Sequence, residues 1–216
     1  MNQEMIAKAE GFLKDAFAAS PGLQSRPAEQ NYRLEHSYRV ANIAKQIALA
    51  EGFDVTCAVL AGLLHDIAYC EEMASREDWL NHGRRSAAIA RPFLEDLGLP
   101  GDAVGDICCG IAIHVDDQAD FAWTRTPFCE TVGDADNLDR FDAYRIYATL
   151  ESERFHELPL EKKQEMAAST LERLHKLREM PLATASANAL WLQRIDYGIG
   201  FYEKLRAQLR SSAAIC

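Results

Sequence analysis

The sequence predicts an all-α protein, and three observations carry that reading. Ala, Leu, Glu and Arg dominate the long segments, and apolar residues recur at three and four positions along most of them. The segment between the first two helical stretches, Ser20 to Asn31, shows no strand-like alternation. At 216 residues the chain fits one generous domain, with no Pro/Gly/Ser-rich linker, internal repeat or low-complexity tract to divide it. The expectation is a single helical domain over 1–216, with a motif-bearing core over 32–145 and C-terminal helices over 160–210 packing on it.

Residues 3–18 carry Ile6, Ala9, Leu13 and Phe17 at helical spacing, and this first helix stops before Ser20-Pro21-Gly22. Ser20 to Asn31 contains two prolines and reads as a loop. It leads into a second helix of about 20 residues, on which Tyr32, His36, Val40, Ile43, Ala44 and Ile47 share the core-facing stripe. Gly52-Phe53-Asp54 breaks the chain and offers Asp54 as the N-cap of a third helix. From Val55 to Ile67 nearly every side chain is apolar or small, the mark of a helix surrounded by others.

His65 and Asp66 end that apolar run. Burying an imidazole beside a carboxylate costs several kcal/mol unless hydrogen bonds, the two groups themselves or a cation satisfy them. Adjacent helical residues point about 100° apart, so both reach one cavity only if it lies near the helix terminus.

Glu71 to Leu80 is polar and reads as a short helix or a lid. His82-Gly83-Arg84-Arg85-Ser86 opens the next helix, where Ser86, Ile89, Ala90, Phe93 and Leu97 continue a stripe begun by His82 and Gly98 supplies the stop. Pro100 starts another, on which Val104, Ile107, Ile111 and His114 are spaced three, four and three. Asp116 to Pro127 is a polar loop whose Phe121, Trp123 and Arg125 border a pocket.

Phe128 to Tyr147 reads as one helix or two joined helices. Positions 134 and 136 differ by about 200° around a helix, so both do not face one point. Asp136 shares a stripe with Phe128, Val132 and Ala135 and is placed inward. Asp134, Asp139 and Asp142 are read as supporting partners, caps or solvated charges. The remainder is two long amphipathic helices separated near Pro181, whose Leu and Ile stripes serve as core or as a homodimer contact.

Composition narrows the function. A formal charge of −10 argues against an extended nucleic-acid surface, while leaving room for arginines that hold a small anion. The six cysteines, Cys57, Cys70, Cys108, Cys109, Cys129 and Cys216, form no C-x-x-C pair and read as small buried hydrophobes in a reducing compartment. Met1-Asn2-Gln3-Glu4-Met5 lacks a basic region followed by an apolar stretch, and no run is long enough to cross a bilayer. The expectation is a cytoplasmic protein with no membrane association.

The inward polar positions are then His36, His65, Asp66, His82, His114 and Asp136. Taken singly, each is more often a hydrogen-bonded core residue; together they have a common explanation in a metal. Imidazole and carboxylate suit divalent transition metals such as Mn, Fe, Co, Ni or Zn, and so much nitrogen disfavours Ca or Mg alone. Four ligands hold one ion; the full set holds two, with Asp66 shared. His156 and His175 lie in charged helical segments and carry no assignment.

His36-Ser37-Tyr38-Arg39-Val40, Leu63-Leu64-His65-Asp66-Ile67 and Asp134-Ala135-Asp136-Asn137-Leu138-Asp139 follow one another in an order that resembles the HD superfamily of metal-dependent phosphohydrolases. The resemblance covers Tyr32 to Arg145 and is similar to short single-domain bacterial members. It implies a helical HD-type bundle with a central buried metal site. His36, His65, Asp66 and Asp136 would be its ligands, and His82 and His114 look like the extra histidines of two-metal subfamilies.

The chemistry implied is hydrolysis of a small phosphorylated metabolite or nucleotide by a metal-activated water. His65, Asp66, His82 and His114 then belong to the catalytic set, with His82 or His114 as general acid or substrate contact if one ion binds. Some relatives hold phosphate with a lysine after the His-Asp pair, but this chain reads Ile67-Ala68-Tyr69-Cys70-Glu71-Glu72. The substrate candidates are therefore Arg84, Arg85, Arg125 and Arg140. Two alternatives come with the resemblance: a di-iron HD-type oxygenase or small-molecule hydratase, and a nucleotide-binding HD domain without activity.

Overall fold

Capping side chains and prolines set where the helices begin. In the structure, a computed structural model that describes residues 1–213, the chain forms α1 (Gln3–Ala19), α2 (Pro21–Gln24), α3 (Pro27–Glu51) and α4 (Val55–Leu64), followed by a 3-10 turn over Ile67–Cys70. Next come α5 (Arg76–Asp96), α6 (Gly101–Ile113), α7 (Pro127–Arg140) and α8 (Ala143–Ser152). A second 3-10 turn over Phe155–Glu157 precedes α9 (Leu160–Arg178) and α10 (Ala185–Arg210). The architecture is all-α, with no strand among the described residues. Cys216 lies outside them.

The predicted caps and faces hold where the pattern was local. Asp54 accepts a hydrogen bond from the Cys57 amide at 2.8 Å and starts α4. Ile6, Ala9, Leu13 and Phe17 are the buried face of α1.

Two helix starts differ from the sequence reading. The segment read as a loop from Ser20 contains α2, capped by Ser20, and α3 begins at Pro27 and runs 25 residues. Proline lacks an N–H, but the first turn of a helix leaves that donor unused, so Pro21 and Pro27 initiate helices here. Likewise α5 begins at Arg76, ahead of His82, because Ser75 and Asp78 form a reciprocal capping box.

The described chain forms two compact units, Met1–Asn137 and the residues from Leu138 onward. In the first, α4 is central: Thr56 through Leu64 are all buried, and the helix packs against α1, α3 and α6. A Cβ on Gly62 would lie 2.6 Å from the Ala41 Cα, so α3 and α4 touch backbone to backbone. Helices α5 and α6 approach in the same way, with a Cβ on Gly83 falling 2.7 Å from the Ala112 carbonyl oxygen. In the second unit α9 packs along α10, and Trp191, fully buried, donates its indole N–H to the Leu177 carbonyl at 3.0 Å. No helix among the described residues is long and apolar enough to cross a membrane.

Candidate metal centre

Each inward polar residue sits where its helix leaves it little alternative. His36 lies on the buried face of α3 with Val40, Ile43 and Ile47. His65 is the C-cap of α4 and keeps helical dihedrals, whereas Asp66, at φ −106° and ψ 14°, leaves the helix. That break turns two adjacent side chains toward one cavity. The 3-10 turn is pinned from behind: the Ala68 amide donates to the buried Ser86 Oγ at 3.0 Å, and the Tyr69 amide to the Asp66 carbonyl at 3.0 Å. His82 comes from α5, His114 from the C-cap of α6 and Asp136 from α7.

All six predicted ligands are in the first unit, and the structure brings them together. His36 Nε2 lies 3.2 Å from His65 Nε2, 3.6 Å from Asp66 Oδ2 and 3.2 Å from Asp136 Oδ1. Asp66 Oδ1 lies 3.1 Å from His82 Nε2, 3.5 Å from His114 Nε2 and 3.6 Å from His65 Nε2. Two ligand groups result, His36-His65-Asp66 and Asp66-His82-His114, with Asp66 common to both. Nitrogen and oxygen ligands at roughly 2.0–2.2 Å from one ion stand about 3–3.5 Å from each other. The donor spacing in both groups fits that requirement.

The orientation of the imidazoles supports the same fit. His65 Nδ1 lies 2.9 Å from the Gly62 carbonyl, His114 Nδ1 2.7 Å from the Ile111 carbonyl, and His82 Nδ1 against the Trp79 carbonyl. A carbonyl only accepts, so Nδ1 is the donor in all three, which leaves Nε2 as the ring atom turned to the cavity. Such a backbone partner is the usual support for a metal-binding histidine.

Electrostatics agree. Burial lowers His65 to about 4, leaving it neutral at pH 7. Burial works against ionisation of Asp66, but the surrounding imidazoles outweigh it and hold the carboxyl well below its usual range. Asp136 behaves similarly, through its hydrogen bond to His36. His114 is raised, because contact with Asp66 overcomes the effect of burial. Buried imidazoles and ionised carboxylates thus stand 3.1–3.6 Å from one another, a donor set that suits a divalent cation.

The four arginine candidates differ in their surroundings. Arg84 is tied to Asp116 at 2.7 and 2.9 Å, Arg85 is exposed and paired with Glu71, and exposed Arg125 pairs with Asp117 and Glu130. Arg140 lies in the second unit. The arginine at the centre is Arg33. Its Nη1 lies 3.4 Å from Asp66 Oδ2, its guanidinium carbon 3.4 Å from the Tyr69 ring centroid, and its buried Nε makes no hydrogen bond but lies 3.8 Å from Glu29 Oε1. Arg33 precedes His36 by three residues on the same helix, which is the signal that marks it.

Asp134 is a second departure. The sequence placed it off the inward stripe, yet it is buried along with Asp136. Helix α7 is covered around most of its circumference, with Cys129, Thr131, Val132, Ala135 and Leu138 also buried, so a single-stripe picture underestimates its interior. Asp134 and His114 both line a polar cavity of about 240 Å³ that also contains Asp116, Glu130 and Asn137.

Comparison with known proteins identifies the family and the fold. The profile of the HD domain matches residues 33–144, a span that contains His36, His65-Asp66 and Asp136. No curated protein matches the chain. Among solved structures, the fold is similar to that of a predicted HD superfamily hydrolase from an uncultured Thermotogales bacterium. The TM-score is 0.63 at 20% identity, over 94% of this chain and 91% of that one. On the profile match and the residues it spans, the chain belongs to the HD-domain family.

Proposed function

We propose that the chain is a metal-dependent phosphohydrolase acting on a small phosphorylated metabolite or nucleotide. The observation that carries the reading is the company Arg33 keeps: a guanidinium held over Tyr69 and 3.4 Å from Asp66 Oδ2, beside a buried cluster of imidazoles and carboxylates. His36, His65, Asp66 and Asp136 would hold one divalent transition metal, and Asp66, His82 and His114 a second. When bound, such ions supply Lewis acidity toward phosphoryl oxygens and lower the pKa of water from about 15.7 toward 7.

The residues of the chain do the rest. Arg33 binds the anionic group in a planar fork that matches phosphate. Tyr69, its hydroxyl pushed up to about 12 by burial and by Asp66, stays protonated and braces that fork. Where one ion binds, His114 Nε2 is placed to hand a proton to the departing oxygen. Arg84 and Arg125 neutralise Asp116 and Asp117 beside the cavity at His114, which lessens repulsion of an anionic substrate.

The competing reading is a di-iron oxygenase, favoured by one observation: Asp66 belongs to both ligand groups, as a bridging carboxylate does. Elemental analysis of protein purified without chelator, paired with phosphate release from a substrate panel, separates the two. Phosphate release dependent on Mn, Co, Ni or Zn supports hydrolysis. Retained iron with oxygen uptake and no phosphate release overturns it.

A further inference from the structure

We propose that the second unit contains a binding site for a small organic phosphate, separate in its residues from the metal centre. A cavity of about 110 Å³ is lined by three arginines, Arg140, Arg145 and Arg173, and by the apolar side chains of Phe141, Ile146 and Leu174. In a chain where 33 acidic residues outnumber 23 basic ones, three guanidinium groups gather around one cavity whose lining, among the described residues, includes no carboxylate.

The cavity is built to keep its cations in place. The Arg173 guanidinium carbon lies 5.3 Å from the Phe141 ring centroid, a cation–π contact that fixes its approach. Arg140 and Arg145 are each engaged in further contacts of their own. Tyr202, buried, and Thr170 complete the wall of the cavity.

Ligand class follows from charge, shape and size. A carboxylate is satisfied by one bidentate arginine, whereas three guanidinium groups match the charge and the several acceptor oxygens of a phosphate dianion. The space corresponds to roughly seven water-sized positions at about 15 Å³ each. That accommodates a phosphate group and the first atoms of an organic body, which would lie against Phe141, Ile146 and Leu174.

The test is calorimetric titration of the full chain, in EDTA, with inorganic phosphate and with phenylphosphonate, whose P–C bond resists hydrolysis. The expected result is one saturable site that prefers phenylphosphonate, weakened about tenfold or more by Arg173→Gln and by Arg145→Gln. Arg33→Gln and Asp66→Asn leave that binding unchanged. Arg173 is exposed, so its substitution leaves folding intact, which circular dichroism verifies; Arg173→Lys retains partial binding. Absence of saturable binding overturns the proposal, as does binding abolished by Arg33→Gln but untouched by Arg173→Gln. Equal affinity for the two probes overturns the organic half of the assignment.

Discussion

His65, His82 and His114 are each oriented by a main-chain carbonyl three residues back, and their Nε2 atoms converge on Asp66 Oδ1. Replacing His65 by Ala, or Asp66 by Asn, should therefore abolish stoichiometric metal and lower phosphate release by at least about 100-fold, since even supporting partners of a metal ligand contribute 10- to 100-fold. Metal analysis and a phosphate assay read both effects. Arg33→Lys keeps the charge and loses the fork; it should reduce phosphate release about tenfold or more at unchanged metal content.

Thiols offer an independent check. Burial pushes Cys57 and Cys109 up to about 12 and Cys108 to about 11, so the nucleophilic thiolate is nearly absent in the folded chain at pH 8. Iodoacetamide should modify these three only after denaturation, as peptide mass mapping would show. A thiol pKa raised by folding favours the folded state below the ordinary value of 9.0, and that contribution is lost as pH rises from there toward 11–12. The ligand candidates were legible at this scale because helical spacing places each on an apolar face. Arg33 was not, because its neighbours Asp66 and Tyr69 are more than thirty positions away in sequence.

At the scale of elements, close helix contacts support the donor geometry. Gly62 lets α3 meet α4, on which His36 and His65 ride, and Gly83 lets α5 meet α6 beside His82 and His114. Gly62→Ala forces a methyl group against the Ala41 backbone and should destabilise the fold by about 1–3 kcal/mol. Denaturant unfolding gives that figure, and reduced metal retention in the folded variant would show that the two helices had been pushed apart. Helix existence and type were readable from periodicity and caps such as Asp54. The starts of α3 and α5 were misjudged because prolines and short polar stretches signal both the end of one helix and the beginning of the next, and neighbouring helices decide between them.

For the whole molecule, metal bound at the two ligand groups that share Asp66 would link α3, α4, α5, α6 and α7 of the first unit. It should stabilise the native state by about 2.7 kcal/mol at a free metal concentration 100 times the Kd, so EDTA should lower the thermal midpoint by several degrees. A scan with and without chelator measures this, and Asp66→Asn should remove the difference. The all-α class was plain in the composition and period. The boundary between compact units was not, since it falls inside α7, between Asn137 and Leu138, where no glycine, proline or serine run marks it. Asp136 comes just before that boundary, so every proposed donor is already in place when the second unit begins. A chimera that takes its residues after 137 from a distant homologue would inherit the ion's full set of partners unchanged. Metal content of such a chimera, compared with that of the parent chain, would show whether the front portion alone suffices to hold the ion.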